Sequence, residues 1–204
     1  MSDPTYPEQE GIADWYEDVV KRSFSTSEGH LDLAVVTYGS LLHPEEIEAL
    51  FHIDDQLIEP IRVKNFARRF SKSVAEHLRD VKGSQSGVLN VHPEPDHSFN
   101  GLLIGPLSEK GLRKYAFRER EYDVKFLDPN RLDFYTEPQW NLDRFEGIFT
   151  CYWNPSDDTI PNYEPVPDYL DLCLEGAQQW GEEFLEEFKK TTLVGERDLN
   201  QYLK

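Results

Sequence analysis

Leu33-Ala34-Val35-Val36-Thr37-Tyr38-Gly39-Ser40-Leu41-Leu42 is the stretch that decides the fold. Its first four residues are apolar and include two valines, so they predict a short buried strand. The glycine that follows lets the backbone turn sharply and lets a ligand approach it closely. Proline at position 44, followed by two glutamates, predicts a short helix. Free N–H groups at this turn and helix start suit an anion or oxyanion, although an ordinary strand-end turn explains the same residues.

The segments around this junction predict more strands than helices. Ser108 is typical of an N-cap, and it predicts a helix that runs to about Phe117. The predicted strands are Leu57–Ile61, Val63–Phe70, Gly87–Val91, Phe99–Ile104, Val124–Leu127 and Ile148–Trp153, and the turn-rich His92-Pro93-Glu94-Pro95-Asp96 joins the third to the fourth. We therefore expect an α+β fold with a mixed, mostly antiparallel sheet or a small barrel.

Apolar residues at three- and four-residue spacing predict helices near both ends of the chain. One amphipathic helix is expected over about 11–24, and a longer one over about 168–190. The predicted organisation is an N-terminal tail and helix over 1–30, one domain over 31–192 that includes the long C-terminal helix, and a tail over 193–204.

The charge of the chain argues against several classes of partner. The formal net charge is -18, and such an acidic surface repels phosphate backbones and anionic lipid. We therefore expect neither nucleic-acid nor membrane binding. Only Cys151 and Cys173 are present, too few for a disulfide framework. The first residues lack the features of a signal peptide, so a cytoplasmic protein is expected.

The sequence contains no motif for a phosphate loop, a dinucleotide site, a nucleophile elbow or a zinc site. We accordingly predict no metal and no cofactor. One charged segment remains, Phe117-Arg118-Glu119-Arg120-Glu121-Tyr122, at the end of a predicted helix. Alone, it is typical of a solvated helix end.

Taken in order with the Tyr-Gly-Ser-Leu turn, however, this segment resembles the γ-glutamylcyclotransferase-like family, which includes the plant AIG2-like proteins. Further similarity lies in the strand over Arg62–Ser73, in Phe99-Asn100-Gly101-Leu102-Leu103, in Tyr115-Ala116-Phe117-Arg118-Glu119 before Tyr122, and in the closing helix. The resemblance spans roughly 32–192, and it implies the fold of that family.

The resemblance also implies an activity and a set of site residues. The activity is conversion of a small-molecule γ-glutamyl amide to 5-oxoproline with release of an amine. Glu119 falls on the catalytic glutamate, with Glu121 as the nearby rival. The implied substrate-binding residues are Tyr38, Gly39, Ser40, Leu41, Tyr122 and Tyr152.

Two departures from the family pattern bear on this interpretation: Ala116 replaces the usual aspartate, and Leu41 stands where glutathione-related enzymes have asparagine. A base such as Glu119 needs a pKa raised by burial, which nearby aromatic residues would supply. Two alternatives remain open: a non-catalytic binding or regulatory protein that keeps the pocket, and an amine-transfer or amidase-like enzyme. The sequence identifies neither the leaving amine nor the oligomeric state.

Overall fold

The computed structural model describes residues 12–23, 30–51, 57–73, 86–139, 141–155 and 160–204. The helices are α1 Tyr16–Val20, α2 Pro44–Phe51, α3 Glu109–Arg118, α4 Pro167–Gln178, α5 Glu182–Thr191 and α6 Leu199–Tyr202, with 3₁₀ turns at Gly39–Leu42, Pro129–Arg131 and Leu142–Arg144. The strands are β1 His30–Leu31, β2 Leu33–Thr37, β3 Leu57–Ser73, β4 Ser86–Gly105, β5 Leu107–Ser108, β6 Asp123–Phe126, β7 Leu132–Phe134, β8 Gly147–Tyr152, β9 Glu164–Pro165, β10 Thr192–Val194 and β11 Arg197–Asp198.

The predicted α+β architecture is confirmed. The main sheet has the strand order β11-β10-β3-β4-β2-β8-β6, with β7 beside β3 and β9 beside β4. Most pairings are antiparallel, and β2 with β8, β10 with β3 and β4 with β9 are the parallel pairs. The described strands form an open sheet rather than the small barrel that was the other expectation, because β11 and β6 are its two ends.

Strand β2 is central, and its side chains enter two hydrophobic cores. Leu33 and Val35 belong to a larger core under the helices, whereas Ala34 and Val36 belong to a smaller core on the other face. This division follows from the alternation of side chains along a strand. The continuous apolar run of the sequence is therefore a strand covered on both faces.

Where the sequence predicts four strands over 57–104, the structure has two long ones. Strands β3 and β4 pair with each other in antiparallel fashion, and the turn-rich residues around Pro93 do not reverse the chain. Lys64 pairs with Ser98 and Phe66 with Pro93, so residues 94–97 bulge from the ladder opposite Asn65. Asn65 and Asp96 have positive φ angles of 60° and 65°, which these residue types tolerate better than most. The proline and aspartate signals thus marked a bulge and not a turn.

The terminal helices also differ from the prediction. The N-terminal helix is the short α1, with Tyr16 and Val19 buried, and positions 11 and 24 of the predicted span lie outside the described residues. The predicted helix over 168–190 is two helices, because the chain turns at Gly181, whose φ is +100°. Both helices direct apolar side chains into the larger core. The helical spacing of apolar residues in the sequence therefore continues across the break.

Residues 193–204, expected as a tail, are folded. Strand β10 continues directly from α5 and pairs with the edge of β3. Val194 is 4% exposed and Leu199 is fully buried. The segment is short and mostly polar, so its few apolar residues produced no periodic signal. None of the helices in the described part of the chain combines the length and apolar composition needed to cross a bilayer.

Candidate active site

A cavity of about 210 Å³ lies where β2 ends and the 3₁₀ turn begins. Its walls come from five separate parts of the chain. They are formed by Thr37, Tyr38, Ser40, Leu41, Val88, Leu89, Tyr115, Arg118, Glu119, Tyr122, Cys151 and Tyr169. The fold therefore brings the predicted turn and the predicted glutamate, about eighty positions apart in sequence, to the same cavity.

Gly39 fixes the shape of the turn. Its φ is +70°, a conformation that side-chain-bearing residues rarely adopt. A Cβ atom at this position would lie 2.5 Å from the hydroxyl oxygen of Tyr169 and 3.6 Å from Leu89. Glycine thus lets the wall residues Tyr169 and Leu89 close on the backbone of the turn.

Two hydrogen bonds hold the turn against the sheet. The Thr37 hydroxyl donates to the carbonyl oxygen of Leu41 at 3.2 Å. The phenol of Tyr38 crosses to β8 and donates to the carbonyl oxygen of Cys151 at 2.8 Å. The turn is therefore fixed at both its backbone and its first side chain.

Glu119 follows the last residue of α3, where its N–H donates to the carbonyl oxygen of Tyr115 at 2.9 Å. Ser108 caps the other end of this helix by accepting from the N–H of Gly111 at 3.0 Å, as predicted. The Glu119 side chain is 14% exposed. Burial raises the pKa of Glu119, while the charges of Arg118 and Lys72 oppose that rise. The direction of this pKa shift is the one that the sequence argument requires of a catalytic base.

Four phenols and one thiol surround this carboxylate. Burial raises the pKa of Tyr38, Tyr115, Tyr122, Tyr169 and Cys151, and the negative charge of Glu119 raises each of them further. All five groups are therefore neutral near neutral pH. A tyrosine in that state can donate one hydrogen bond, and its ring face attracts cations.

Arg118 connects the turn to the helix end. Its guanidinium donates to the Ser40 hydroxyl at 3.1 Å and to the Glu46 carboxylate on α2, and its Nε atom lies 3.4 Å from Glu119 Oε1. Burial lowers the pKa of Arg118, but its carboxylate neighbours outweigh that effect and the pKa is raised overall. The arginine that precedes the glutamate in the sequence motif thus positions both halves of the site.

Not every residue named from sequence lies at the cavity. Gly39 adjoins it through Tyr169 and Leu89, whereas Tyr152 is placed elsewhere. Side chains alternate along β8, so Cys151 faces the cavity and Tyr152 packs against the smaller core. Glu121, the rival base, is 57% exposed and forms an ion pair with Lys72 at 2.9 Å.

Sequence reasoning missed several walls of the cavity. Val88 and Leu89 come from β4, and Tyr169 comes from α4. Their local patterns mark them as ordinary strand and helix residues. Cys151 lies in an apolar run that is typical of a small core residue, and it is 1% exposed, yet it also faces the cavity.

Comparison with known proteins bears on the architecture. No protein-family model matches the sequence, and no curated protein matches it either. Among solved structures, one described as "Gamma-glutamyl cyclotransferase" matches with a TM-score of 0.54 at 16% identity, over 81% of this chain and 90% of that chain.

The chain has the γ-glutamyl cyclotransferase fold. The crystal structure of an uncharacterized protein from Homo sapiens matches similarly, with a TM-score of 0.53 at 16% identity, over 80% of this chain and 89% of that chain. These structural matches establish the fold alone, and at 16% identity the activity has to be argued from the site.

Within the γ-glutamyl cyclotransferase fold, the cavity of this chain combines one carboxylate of raised pKa with neutral phenols and a backbone turn. Such a carboxylate can accept a proton from a bound ammonium group near neutral pH. The described residues contain no group of three or more His, Cys, Asp or Glu side chains arranged to hold a metal ion.

Proposed function

We propose that this protein is a γ-glutamylcyclotransferase that converts a small-molecule γ-glutamyl amide to 5-oxoproline and releases an amine. The observation that carries the proposal is the placement of Glu119, with its raised pKa, in the same cavity as the Tyr38–Leu41 turn. The shared fold agrees with this function.

The reaction is an internal acyl transfer. The α-nitrogen of the γ-glutamyl group attacks its own γ-carbonyl carbon, a C–N bond forms, and the original amide C–N bond breaks. Because nucleophile and electrophile belong to one molecule, a cavity that holds the substrate folded removes much of the entropic barrier. The small volume and aromatic walls of the cavity suit that task.

Glu119 moves the proton. It takes one proton from the α-ammonium group, which makes the nitrogen nucleophilic, and it donates that proton to the departing nitrogen. The ring nitrogen loses its second proton as it becomes an amide, and the released amine or solvent takes up this proton. One carboxylate of raised pKa suffices for both transfers. Tyr38, Tyr115 and Tyr122 line the cavity beside this carboxylate, and aromatic rings favour a nearby ammonium group before the transfer.

The turn stabilises the oxygen that becomes negative during attack. Gly39–Leu42 is a 3₁₀ helix, and the first N–H groups of a helix have no partner within it. These amides, rather than the Leu41 side chain, are assigned to the γ-carbonyl oxygen. Leu41 contributes an apolar wall at a position where the related glutathione enzymes carry an amide.

The first test is Glu119→Gln, assayed by release of 5-oxoproline from a panel of γ-glutamyl amino acids, peptides and amines. Loss of the base should lower kcat/KM by about 10²-fold or more while the fold is kept. In the wild type, kcat/KM should rise with pH through the pKa of Glu119, which burial places above that of an ordinary glutamate.

Glu121→Gln is the matched control, since Glu121 lies two positions away and is the rival base. It should continue to produce 5-oxoproline. Full activity of Glu119→Gln on the substrate that the wild type turns over would refute the assignment of the base.

A second candidate function is supported by the Arg118–Glu119 contact of 3.4 Å. A guanidinium at that distance favours the ionised carboxylate, which suits retention of an ammonium ligand without proton transfer. A non-catalytic binding protein would retain γ-glutamyl compounds in calorimetry and release no 5-oxoproline. An amidase-like or amine-transferring enzyme would instead release glutamate or a new γ-glutamyl amide.

A further inference from the structure

Lys72 is a buried lysine beside the cavity that the reaction described above does not use. It lies on β3 just after a bulge, where it pairs with Val88, and Val88 is a wall of the cavity. Its side chain is only 11% exposed, although lysine is among the residue types least often buried. Its ammonium nitrogen lies 4.8 Å from the centre of the Tyr122 ring, another wall of the cavity.

The bond that Lys72 makes to a carboxylate points outward. Its Nζ atom lies 2.9 Å from Glu121 Oε2, and the Glu121 side chain is 57% exposed. An ion pair with one exposed partner contributes little to stability and can be exchanged for another carboxylate at small cost. The ammonium group is thus held at the edge of the cavity by a replaceable partner.

Lys72 is also electrically close to the proposed base. Its positive charge lowers the pKa of Glu119, as the charge of Arg118 does. Arg118, however, is already shared among Ser40, Glu46 and Glu119. Of these two cations, Lys72 has the more exposed carboxylate partner, because the Glu121 side chain is 57% exposed and that of Glu46 is 37% exposed.

The proposed substrate brings a carboxylate to this place. In a γ-glutamyl group the α-carboxylate and the α-ammonium are attached to the same carbon atom, so a site that holds the ammonium at Glu119 holds the carboxylate nearby. A carboxylate that leaves water needs a charged or hydrogen-bonding partner. Lys72 supplies the charge, and its ammonium nitrogen lies 4.8 Å from the ring centre of Tyr122, a wall of the cavity.

Building on the proposed function, we propose that Lys72 binds the α-carboxylate of the γ-glutamyl substrate and replaces its contact with Glu121 when substrate enters. Lys72 then determines specificity: it selects γ-glutamyl compounds with a free α-carboxylate over those in which this group is an amide or ester. The step is an exchange of ion-pair partners and changes no covalent bond.

The test compares two substrates that differ only at this group, a γ-glutamyl amide with a free α-carboxylate and the same compound as its α-carboxamide. The wild type should prefer the free acid. Lys72→Met, which keeps a long apolar side chain, should lose roughly 10- to 100-fold in kcat/KM on the free acid, mainly through KM, and little on the carboxamide. The ratio of the two values is independent of how much enzyme is folded.

The pH profile gives a second readout, which reports the charge that Lys72 holds near Glu119. Because the charge of Lys72 lowers the pKa of Glu119, its removal should shift the acidic limb of kcat/KM on the carboxamide to higher pH. Lys72→Arg should retain much of the preference for the free acid. Lys125→Met is the matched control, since Lys125 is an exposed lysine on β6. This variant should leave the ratio of kcat/KM for acid and carboxamide, and the acidic limb of the pH profile, unchanged.

Two failures can be told apart. If the wild type releases 5-oxoproline and Lys72→Met keeps the full preference for the free acid, the role of Lys72 is refuted and the proposed function stands. If the wild type releases none from either compound, the proposed function fails. Calorimetry with the free acid and the carboxamide then tests the role of Lys72. Equal affinity of the wild type for the two compounds would refute that role.

Discussion

At the scale of single residues, Gly39 shows how one position couples backbone and cavity. Its φ of +70° excludes most side chains, and the hydroxyl of Tyr169 occupies the space that a Cβ atom would need. The sequence argument correctly predicted a glycine at the turn, but it expected a ligand rather than a side chain to approach it. It could not identify Tyr169 as the approaching group, because that contact joins positions 130 apart.

Gly39→Ala should therefore destabilise the protein more than an ordinary glycine replacement at positive φ. The matched control is Gly195→Ala, whose φ is +63° with no atom within 4 Å of the added Cβ. The control should lose about 1–2 kcal/mol from backbone strain alone, and Gly39→Ala should lose more.

The comparison is made by urea unfolding of both variants. Adding Tyr169→Phe to Gly39→Ala removes the hydroxyl oxygen that the new methyl group meets, and it should recover part of the difference. Equal losses for the two glycine variants would mean that the turn adjusts without strain.

At the scale of elements, Arg68 joins four of them. It is fully buried on β3, and its guanidinium donates to Asn100 on β4, to the Phe188 carbonyl oxygen and Thr191 hydroxyl on α5, and to the Thr192 hydroxyl on β10. The group stacks 4.0 Å from the ring centre of Phe188. Burial lowers the pKa of Arg68 to about 9. Neutral oxygens thus satisfy a buried cation, and the sheet is fixed to α5.

Arg68→Met should consequently destabilise the fold by about 3 kcal/mol or more, because it leaves several buried acceptors without a donor. The neighbouring Arg69 is the control. It pairs with the partly exposed Glu94 at 2.6 Å, so Arg69→Met should lose only about 1 kcal/mol or less. Chemical unfolding of both variants tests the contrast, and similar losses would contradict it.

Elements with local signals were predictable from the sequence, and elements defined by distant partners were not. The β2 strand, the α2 helix and the Ser108 cap depend on neighbouring residues, and all three are confirmed. The continuity of β4 through Pro93 depends on its pairing with β3 across the sheet. Likewise, the break at Gly181 leaves the helical spacing of apolar residues intact, so spacing alone could not reveal it.

At the scale of the whole molecule, the cavity exists only after five segments have come together. The turn and the helix-end glutamate could be named from the sequence because each lies in a short continuous motif, and the two motifs together resemble the γ-glutamylcyclotransferase-like family. Cys151 and Tyr169 could not, since a core cysteine and a helical tyrosine have the same local pattern wherever they lie. Tyr152, in contrast, is named from the sequence but does not line the cavity. Side chains alternate along β8, so Cys151 and Tyr152 lie on opposite faces of the sheet.

The C-terminal residues provide a test at this scale. Removal of residues 193–204 would expose the sheet edge at β3 and delete two buried apolar side chains, Val194 and Leu199. At about 1.5–3 kcal/mol for each buried side chain, the loss should reach about 3–6 kcal/mol.

The control for this truncation is removal of Leu203 and Lys204 alone. Leu203 is 49% exposed, so the shorter deletion should change stability by no more than about 0.5 kcal/mol. Thermal unfolding measures both. An unchanged midpoint for the longer deletion would restore the interpretation of this segment as a tail.

The aromatic contacts of the N-terminal segment make the cavity optically observable. The Trp15 ring lies 6.2 Å from the ring of Tyr115, a wall of the cavity, and 6.0 Å from that of Phe149. The chain has four tryptophans, so a variant that keeps only Trp15 would emit from a single known position. Its fluorescence would then follow occupancy of the cavity in real time, including by compounds that bind and are never turned over.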